Sequence, residues 1–217
     1  LLKQGHDVGE HRVARLMRAE GIRAKTVKKW RATTQSNHRL PVAENTLNRQ
    51  FMVEAPNRVW AGDITYVWTT EGWLYLAVIL DLYSRRVIGW AMGHRLTVDL
   101  AEQALTMALV TRRPGAGLLH HSDRGSQYAA SSYQQMLAAQ GLIPSMSRKG
   151  NCWDNACVES FFGTLKRELV YHRHYATRDD ATRDIFEYFE VFYNRQRRHS
   201  TLGYDSPAEY EARTAVA

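Results

Sequence analysis

Three strand-like runs follow one another within residues 59–92, and this feature limits the possible folds of the chain more than any other. Val59–Trp68 alternates and is rich in β-branched and aromatic residues, Trp73–Tyr83 is strongly apolar, and Arg86–Met92 is the third run. The first two are separated by a short turn over residues 69–72. Since strands joined by short turns pair with antiparallel neighbours, the sequence predicts an antiparallel meander.

After the meander the pattern alternates between helix and strand. Apolar residues at helical spacing, with Thr97 as the N-cap, predict a helix over Thr97–Arg112 that ends at Pro114-Gly115. The later predicted elements are strand, helix, strand, helix and helix, at Leu118–His121, Ser131–Gln140, Ile143–Met146, Asn155–Tyr171 and Thr177–Arg197. The predicted fold class is α/β, a mixed five-stranded sheet flanked by helices, with a small N-terminal helical region.

Composition excludes several classes of protein. The 217 residues suffice for one substantial core and a small accessory domain. The sequence contains no run of about eighteen apolar residues, so it predicts no membrane span. The first residues lack the apolar core of a signal peptide. Cys152 and Cys157 lack the spacing of a zinc site and are too few for a disulfide framework, so we interpret them as reduced intracellular thiols. For the pair His120-His121, a core or edge role is favoured over a ligand pair.

The basic excess is confined to the first quarter of the chain. Residues 1–50 carry eleven Lys and Arg against four Asp and Glu, whereas residues 51–217 carry eighteen of each. A neutral body with a basic arm is typical of a nucleic-acid-binding protein. The alternative is a solvated helical face, which charge alone does not exclude.

Residues 9–31 are predicted to form two short helices around Gly21. Helix, glycine-containing turn and basic helix is the outline of a helix-turn-helix, although many helical hairpins share it. The cations predicted to contact DNA in the second helix are Arg23, Lys25, Lys28 and Lys29. The predicted domains are a helix-turn-helix-like DNA-binding region (1–35), a polar linker (36–54), an α/β core (55–175) and a C-terminal helical extension (176–217).

Three carboxylates from distant segments form the candidate catalytic site. Asp63 lies within the first predicted strand, and Asp123 follows the fourth strand just before a Gly125 turn. Glu159 lies one turn into the next helix, with thirty-five residues between it and Asp123. Ligand sites in α/β sheets gather at the carboxyl ends of strands. Three carboxylates brought together can hold two divalent cations about 3.5–4 Å apart, an arrangement that stabilises the attacking and leaving oxygens of a phosphoryl transfer.

The helix that carries Glu159 is predicted to face the site with one edge. Asn155, Glu159 and Lys166 fall within about 40° of one another at 3.6 residues per turn. An adjoining apolar stripe would anchor the helix to the sheet. Asp154 and Asn155 are candidates for its N-cap.

Other acids compete with these three. Asp81 lies inside the apolar second strand, and the acids that we interpret as helix-start or surface residues are Asp99, Asp179, Asp180 and Asp184. A single Asp is usually a cap or a surface charge. Asp63, Asp123 and Glu159 are preferred because their flanking residues and spacing agree at three places together.

The motifs around these residues resemble those of insertion-sequence transposases of the IS3 group, within the retroviral-integrase superfamily. The resemblance covers nearly all of residues 9–210. Its motifs are Trp60-Ala61-Gly62-Asp63-Ile64-Thr65-Tyr66, His121-Ser122-Asp123-Arg124-Gly125-Ser126-Gln127-Tyr128, Asp154-Asn155-Ala156 with Glu159-Ser160-Phe161-Phe162 and Leu165-Lys166, and a tail of Tyr193-Asn194, Arg197, His199, Leu202-Gly203-Tyr204 and Ser206-Pro207.

The resemblance implies a function and its partners. It implies a ribonuclease-H-like core in which Asp63, Asp123 and Glu159 are catalytic and bind two Mg²⁺ or Mn²⁺ ions. It also implies metal-dependent cleavage of element ends and strand transfer by a DDE-type polynucleotidyl transferase. The expected partners are double-stranded DNA, as element ends and target, and further copies of the chain on DNA. Because the first residue is not Met, we expect a second-frame product with a possible first-frame partner, located in the bacterial cytoplasm at the nucleoid and not in a membrane.

Six further cations of the core and tail are predicted to contact DNA. They are Lys166, Arg148, Lys149, Arg195, Arg197 and Arg198. For the cluster at 195–198 the alternative is a solvated helix end, where cations favour the helix dipole. Trp153 is interpreted either as a platform for an unpaired base or as a loop residue packed on the core.

Two other functions stay open at this point. A nuclease of the same fold would cut nucleic acid without joining it, and the basic arm argues against that class. A truncated, non-catalytic DNA-binding repressor of transposition would need none of the three carboxylates, and their presence disfavours it.

Overall fold

The structure is a computed structural model, and it describes Gly5, residues 8–22 and residues 40–214. The chain divides into two compact units, Leu1–Trp30 and Arg31–Ala217. The division into four domains that the sequence predicts remains a prediction.

The first unit contains helix α1, Glu10–Ala19, which confirms the first of the two N-terminal helices. Glu10 lies in its first turn and Arg18 in its last, where each charge is favourable to the helix dipole. None of its side chains is buried. The predicted second helix, with Arg23, Lys25, Lys28 and Lys29, lies outside the described residues.

The second unit is built on a mixed five-stranded sheet, which confirms the predicted fold class. Its strands are β1 Val59–Thr69, β2 Gly72–Asp81, β3 Arg86–Gly93, β4 Leu119–Ser122 and β5 Ile143–Met146. They lie in the order β3-β2-β1-β4-β5. The first three form the predicted antiparallel meander, and β4 and β5 extend it in parallel from β1.

Helices cover both faces of the sheet. They are α2 Val98–Arg112, α3 Ser126–Ala129, α4 Ser131–Ala139, α5 Ala156–Glu168, α6 Arg178–Glu187 and α7 Pro207–Thr214. One apolar cluster joins a face of the sheet to α2, α3 and α4, and a second joins the other face to α5 and α6. Within the part of the chain that the structure describes, no helix is both long and apolar enough to cross a bilayer.

The two last predicted helices are shorter than the sequence indicates. Helix α5 is flanked by 3₁₀ turns at Cys152–Asn155 and Val170–His172. Helix α6 continues as a π-helical segment, Tyr188–Tyr193. At its end, the Asn194 side chain accepts a hydrogen bond from the N–H of Val87 and donates one to its carbonyl, both at 3.0 Å. The π-helical segment therefore places the Asn194 amide where it pairs with backbone groups on the edge of β3 that faces away from β2.

Part of the predicted linker packs on the sheet. The Leu47 side chain is buried in the α5 cluster, and its N–H donates to the Ser145 hydroxyl. Met146 donates its N–H to the carbonyl of Glu44. Residues 44–47 therefore lie alongside β5.

Asp81, the acid inside β2, belongs to a structural ion-pair network. It is fully buried, and Arg112 of α2 contacts it at 3.0 Å. The same guanidinium contacts Glu211 of α7 at 2.6 Å, and Arg86 contacts Glu211 at 2.7 Å. The network joins α7 to the sheet at the end of β2, where Asp81 pairs with Trp60 near the start of β1.

Gly89 provides a test of how closely α2 approaches β3. A Cβ at this position would lie 2.2 Å from the Ala104 carbonyl oxygen and 2.9 Å from the Ala108 nitrogen, both backbone atoms of the helix. We expect Gly89→Ala to lower the free energy of unfolding by about 1–3 kcal/mol or more, because the helix must move away from the sheet. Gly115→Ala is the matched control, since nothing lies within 4 Å of its added Cβ. Equal denaturant midpoints for the two variants would contradict this packing.

Candidate active site at the end of strands β1 and β4

The register of two parallel strands brings Asp63 and Asp123 side by side. The pairing of β1 with β4 ends at Gly62 opposite Ser122. The next residue on each strand is a carboxylate: Asp63 inside β1, which continues alongside β2, and Asp123 in the loop after β4. Both side chains are partly buried. The sheet thus places both residues at the same strand end, while their role in catalysis remains a prediction.

Helix α5 brings the third carboxylate to the same place. Its buried side chains, Val158, Phe161, Phe162 and Leu165, pack on the sheet as the apolar stripe predicted. Glu159 is exposed in its first turn, and Lys166 is partly buried in its last. Lys166 Nζ lies 5.2 Å from the centroid of the Tyr66 ring on β1. The cation therefore lies against the strand that carries Asp63.

The charges of the three carboxylates act on one another. Burial, and then the charge of Asp123, raises the pKa of Asp63 well above its ordinary value; the Ile64 N–H opposes this shift, and the charge of Glu159 adds to it. Although Glu159 is exposed as a residue, partial burial of its carboxyl group, and then the charge of Asp123, raises its pKa as well. Burial lowers the pKa of Lys166, and the charge of Asp63 opposes that shift. The site thus holds an excess of negative charge that Lys166 offsets in part.

Two of the carboxylates accept hydrogen bonds from nearby backbone. Asp63 Oδ1 accepts from the N–H of Ile64 at 2.7 Å, and Asp123 Oδ1 accepts from the N–H of Gly125 at 2.8 Å. A Cβ on Gly125 would lie 2.9 Å from Asp123 Oδ1, so the glycine leaves room for this turn.

The donor set fits a hard divalent cation, because carboxylate oxygens are the ligands that Mg²⁺ and Mn²⁺ prefer. The mutual repulsion of the three acids favours an added positive charge. Among the residues that the structure describes, no three His, Cys, Asp or Glu side chains are grouped closely enough to hold a metal ion. The fit therefore lies in the chemistry and charge of the donors, and binding would require their side chains to turn toward one another.

The two histidines before Asp123 are buried, in agreement with a core role. His120 Nε2 lies 3.0 Å from the hydroxyl of Tyr133, and the His121 ring lies within 3.2 Å of the hydroxyls of Ser145 and Ser147. Burial lowers the pKa of each to about 4. Both are therefore neutral near pH 7. Their ring contacts join β4 to α4, to β5 and to the residue after β5.

Three of the cations predicted to contact DNA form ion pairs within the protein. Arg148 pairs with Asp154, Arg197 with Glu168 and Arg198 with Glu209, each at 2.7 Å. Arg148 and Arg198 keep 48% and 50% of their side chains exposed despite these pairs, and Lys149, Arg195 and Trp153 are exposed as well. The DNA contacts of all these residues remain predictions.

Sequence reasoning missed the role of Asp154. It was a candidate N-cap, but neither it nor Asn155 caps α5 through its side chain. Asp154 is fully buried and accepts hydrogen bonds from Asn45, Arg49 and Arg148. Its closeness in sequence to Arg148 was the one local signal of this pairing. Asn155 donates to the Gly62 carbonyl at 3.4 Å, one residue before Asp63.

Comparison with known proteins places the chain among integrase-like proteins. An Integrase core domain model matches residues 53–152, and a second Integrase core domain model matches residues 140–207. The Insertion element IS600 uncharacterized 31 kDa protein of Shigella sonnei is 55% identical over 210 residues, which are 97% of this chain and 77% of that protein. Transposase InsF for insertion sequence IS3A of Escherichia coli (strain K12) is 47% identical over 211 residues, 97% of this chain and 73% of that protein.

Solved structures share the fold at low sequence identity. The HTLV-2 integrase catalytic core domain in complex with magnesium (trimeric form) has a TM-score of 0.55 and 16% identity, and the match covers 72% of this chain and 97% of that one. A chain of the simian T-cell lymphotropic virus intasome in complex with PP2A regulatory subunit B56 gamma has a TM-score of 0.61 and 18% identity, covering 82% of this chain and 60% of that one. These likenesses show the ribonuclease-H-like fold of integrase cores.

The raised pKa of Asp63 makes the stability of the metal-free protein depend on pH in a defined direction. A carboxyl with a higher pKa in the folded state contributes stability below its unfolded pKa, and this contribution is lost as pH rises through the folded pKa. In EDTA, we therefore expect Asp63→Asn to be more stable than the wild type at neutral pH, with the difference shrinking toward pH 3.8, the ordinary Asp value. Urea melts over a pH series measure this difference.

Asp99→Asn, in the exposed first turn of α2, is the control for the loss of one negative charge. We expect it to lower stability by about 0.3–1 kcal/mol at most, through loss of a favourable charge near the helix N-terminus. A wild type as stable as Asp63→Asn at neutral pH would show that ionised Asp63 does not destabilise the folded state.

Proposed function

Since the chain belongs to the IS3 group of insertion-sequence transposases, within the retroviral-integrase superfamily, we propose that it cuts the ends of a mobile DNA element and joins them to other DNA. The reaction class is metal-dependent phosphoryl transfer by a DDE-type polynucleotidyl transferase. Asp63, Asp123 and Glu159 are the proposed catalytic residues.

One observation carries this proposal. The parallel pairing of β1 and β4 ends where Asp63 and Asp123 begin, and α5 adds Glu159 so that the charges of all three interact. A chain whose acids served as surface charges or caps would have no reason to place them together at a cost in repulsion.

The proposed cofactor is Mg²⁺ or Mn²⁺, two ions per site, held by the same three carboxylates. The HTLV-2 integrase core that shares the fold is in complex with magnesium, and this supports the choice. When bound, such ions would activate the nucleophile and stabilise charge on the phosphoryl oxygens. The three carboxylates must be ionised to bind them, so protons compete with the metal at Asp63 and Glu159, whose pKa values are raised.

Lys166 is the proposed phosphate contact nearest the chemistry. It lies over Tyr66, and the charge of Asp63 acts on it. The ring fixes the ammonium beside the carboxylates, from where it can attract a DNA phosphate to the site. Lys149 and Arg195 are exposed cations that are proposed to contact the DNA backbone farther out.

The proposed partners follow from the family. They are double-stranded DNA, as element ends and target, further copies of the chain assembled on that DNA, and a first-frame product of the same element. The proposed location is the bacterial nucleoid.

Asp123→Ala tests the proposed activity. With duplex oligonucleotides carrying the terminal sequences of the element and Mg²⁺, we expect the wild type to release 3′-hydroxyl ends and to join them to a second duplex. We expect the cleavage rate of the variant to fall at least about 100-fold. Loss of a residue that only orients a metal ligand would cost less than this. Its affinity for the duplex should be nearly unchanged.

Asp99→Ala is the control variant and should cleave as the wild type does. Unchanged cleavage by Asp123→Ala would contradict the catalytic assignment. Cleavage without joining would identify a nuclease, and binding without cleavage by the wild type would favour a non-catalytic repressor.

A further inference from the structure

Helix α5 is held at its N-terminal end by a buried carboxylate. Asp154 is 0% exposed and accepts five hydrogen bonds, three of them from Arg148: from its backbone N–H at 2.9 Å, from Nε at 2.9 Å and from Nη2 at 2.7 Å. Arg49 Nε donates at 2.9 Å and Asn45 Nδ2 at 2.8 Å. This N-terminal clamp joins residues 45–49, the loop after β5 and the turn that leads into α5.

A second ion pair holds the other end of the helix. Glu168 is the last residue of α5, and Arg197 donates to it through Nε at 2.9 Å and through Nη2 at 2.7 Å. The Tyr188 hydroxyl donates to the same carboxylate at 2.8 Å. This C-terminal clamp joins the helix to the tail that follows the π-helical segment.

The two clamps lie on either side of the helix positions that carry Glu159 and Lys166. Glu159 lies five residues after Asp154, and Lys166 lies two residues before Glu168. The apolar stripe of α5 stabilises its contact with the sheet, but burial of apolar area is non-directional. Forked, charge-assisted hydrogen bonds are directional, so the clamps are suited to setting the rotation and axial position of the helix.

We propose that Arg148 and Arg197 are positioning residues, which place Glu159 and Lys166 through Asp154 and Glu168, and not contacts to DNA phosphate. The inference rests on the proposed function and deepens it. Among the cations predicted to contact DNA, it separates the clamp arginines, whose guanidinium groups are bound by buried or half-buried carboxylates, from Lys149 and Arg195, which remain proposed phosphate contacts.

The hydrogen bonds of the two arginines support this division. Both carboxylate-facing nitrogens of Arg148 are engaged by Asp154, and Arg197 additionally places Nη1 3.3 Å from the Arg198 carbonyl oxygen. For a phosphate to take the Nε and Nη2 edge of its guanidinium, Arg148 would have to leave Asp154, a carboxylate with no exposed surface. Such a loss leaves a buried charge with fewer partners, which is costly.

Conservative substitutions separate positioning from phosphate binding. Lysine keeps the charge that binds a phosphate but cannot form the two-pronged contact with a carboxylate. In Arg148→Lys and Arg197→Lys, we expect kcat for end cleavage to fall about 10- to 100-fold at saturating DNA, as small misplacements of catalytic groups do. The affinity for the duplex and the slope of log K against log salt should stay as in the wild type.

The reverse substitutions remove the acids of the clamps. Asp154→Asn and Glu168→Gln each add one unit of positive charge and release an arginine. If the arginines are positioning residues, cleavage falls although DNA binding does not weaken. If they are phosphate contacts, releasing them strengthens binding and leaves the cleavage rate at saturation unreduced.

Three further variants calibrate the measurement. Lys149→Ala and Arg195→Ala are expected to weaken binding at every DNA sequence and to lower the salt slope by about one each. Arg183→Ala, which removes an exposed ion pair within α6, should alter neither quantity. Melting curves confirm that each variant is folded at the assay temperature. If Arg148→Lys is not folded, Asp154→Asn tests the same clamp, and if Arg197→Lys is not folded, Glu168→Gln does.

The outcomes distinguish this inference from the proposed function. A wild type that binds but does not cleave defeats the proposed function itself. An active wild type whose Arg148→Lys and Arg197→Lys variants keep full kcat, or whose Asp154→Asn and Glu168→Gln variants bind more tightly and cleave normally, overturns the positioning role alone.

Discussion

Repulsion between Asp63 and Asp123 is the constraint around which this end of the sheet is organised. The backbone pairs β1 with β4 up to Gly62 and Ser122, so hydrogen bonding between the strands places Asp63 and Asp123 at the same edge of the sheet. Burial of the carboxylate, and then the charge of Asp123, raises the pKa of Asp63. A protein tolerates such an arrangement when the surrounding structure holds it in place and when a positive charge can enter. Lys166 supplies one such charge, and divalent ions are proposed to supply the others.

Packing and ion pairs elsewhere in the fold hold the sheet and its helices in place. Apolar clusters on both faces keep the sheet between its helices, and α2 approaches so closely at Gly89 that no Cβ fits. Ion pairs fix what apolar contacts leave adjustable. The network of Asp81, Arg112 and Glu211 ties the last helix to the sheet, while the pairs at Asp154 and Glu168 hold the two ends of α5. Buried charge thus serves structure at several places and is proposed to serve chemistry at one.

The sequence predicts the sheet well because its signals are local. Alternation in Val59–Thr69 and the apolar run of Gly72–Asp81 mark their strands directly, and helical spacing marks the face of α5 that carries Glu159 and Lys166. Long-range pairs leave no such signal. Arg49 meets Asp154 across 105 residues, and Arg197 meets Glu168 across 29, so both arginines resemble surface cations in the sequence. The π-helical turn before Asn194 was likewise missed, because it serves the edge of β3, far away in the chain.

The central claim is that Asp63, Asp123 and Glu159 converge on shared divalent ions. A crystal structure of the chain soaked in Mn²⁺, with the ions located by their anomalous scattering, tests it most directly. We expect strong peaks between the three carboxylates, absent from crystals of Asp123→Ala grown in the same way. Mn²⁺ bound elsewhere, with the three side chains still apart and those of Asp63 and Asp123 still hydrogen-bonded to nearby backbone N–H groups, would contradict the claim.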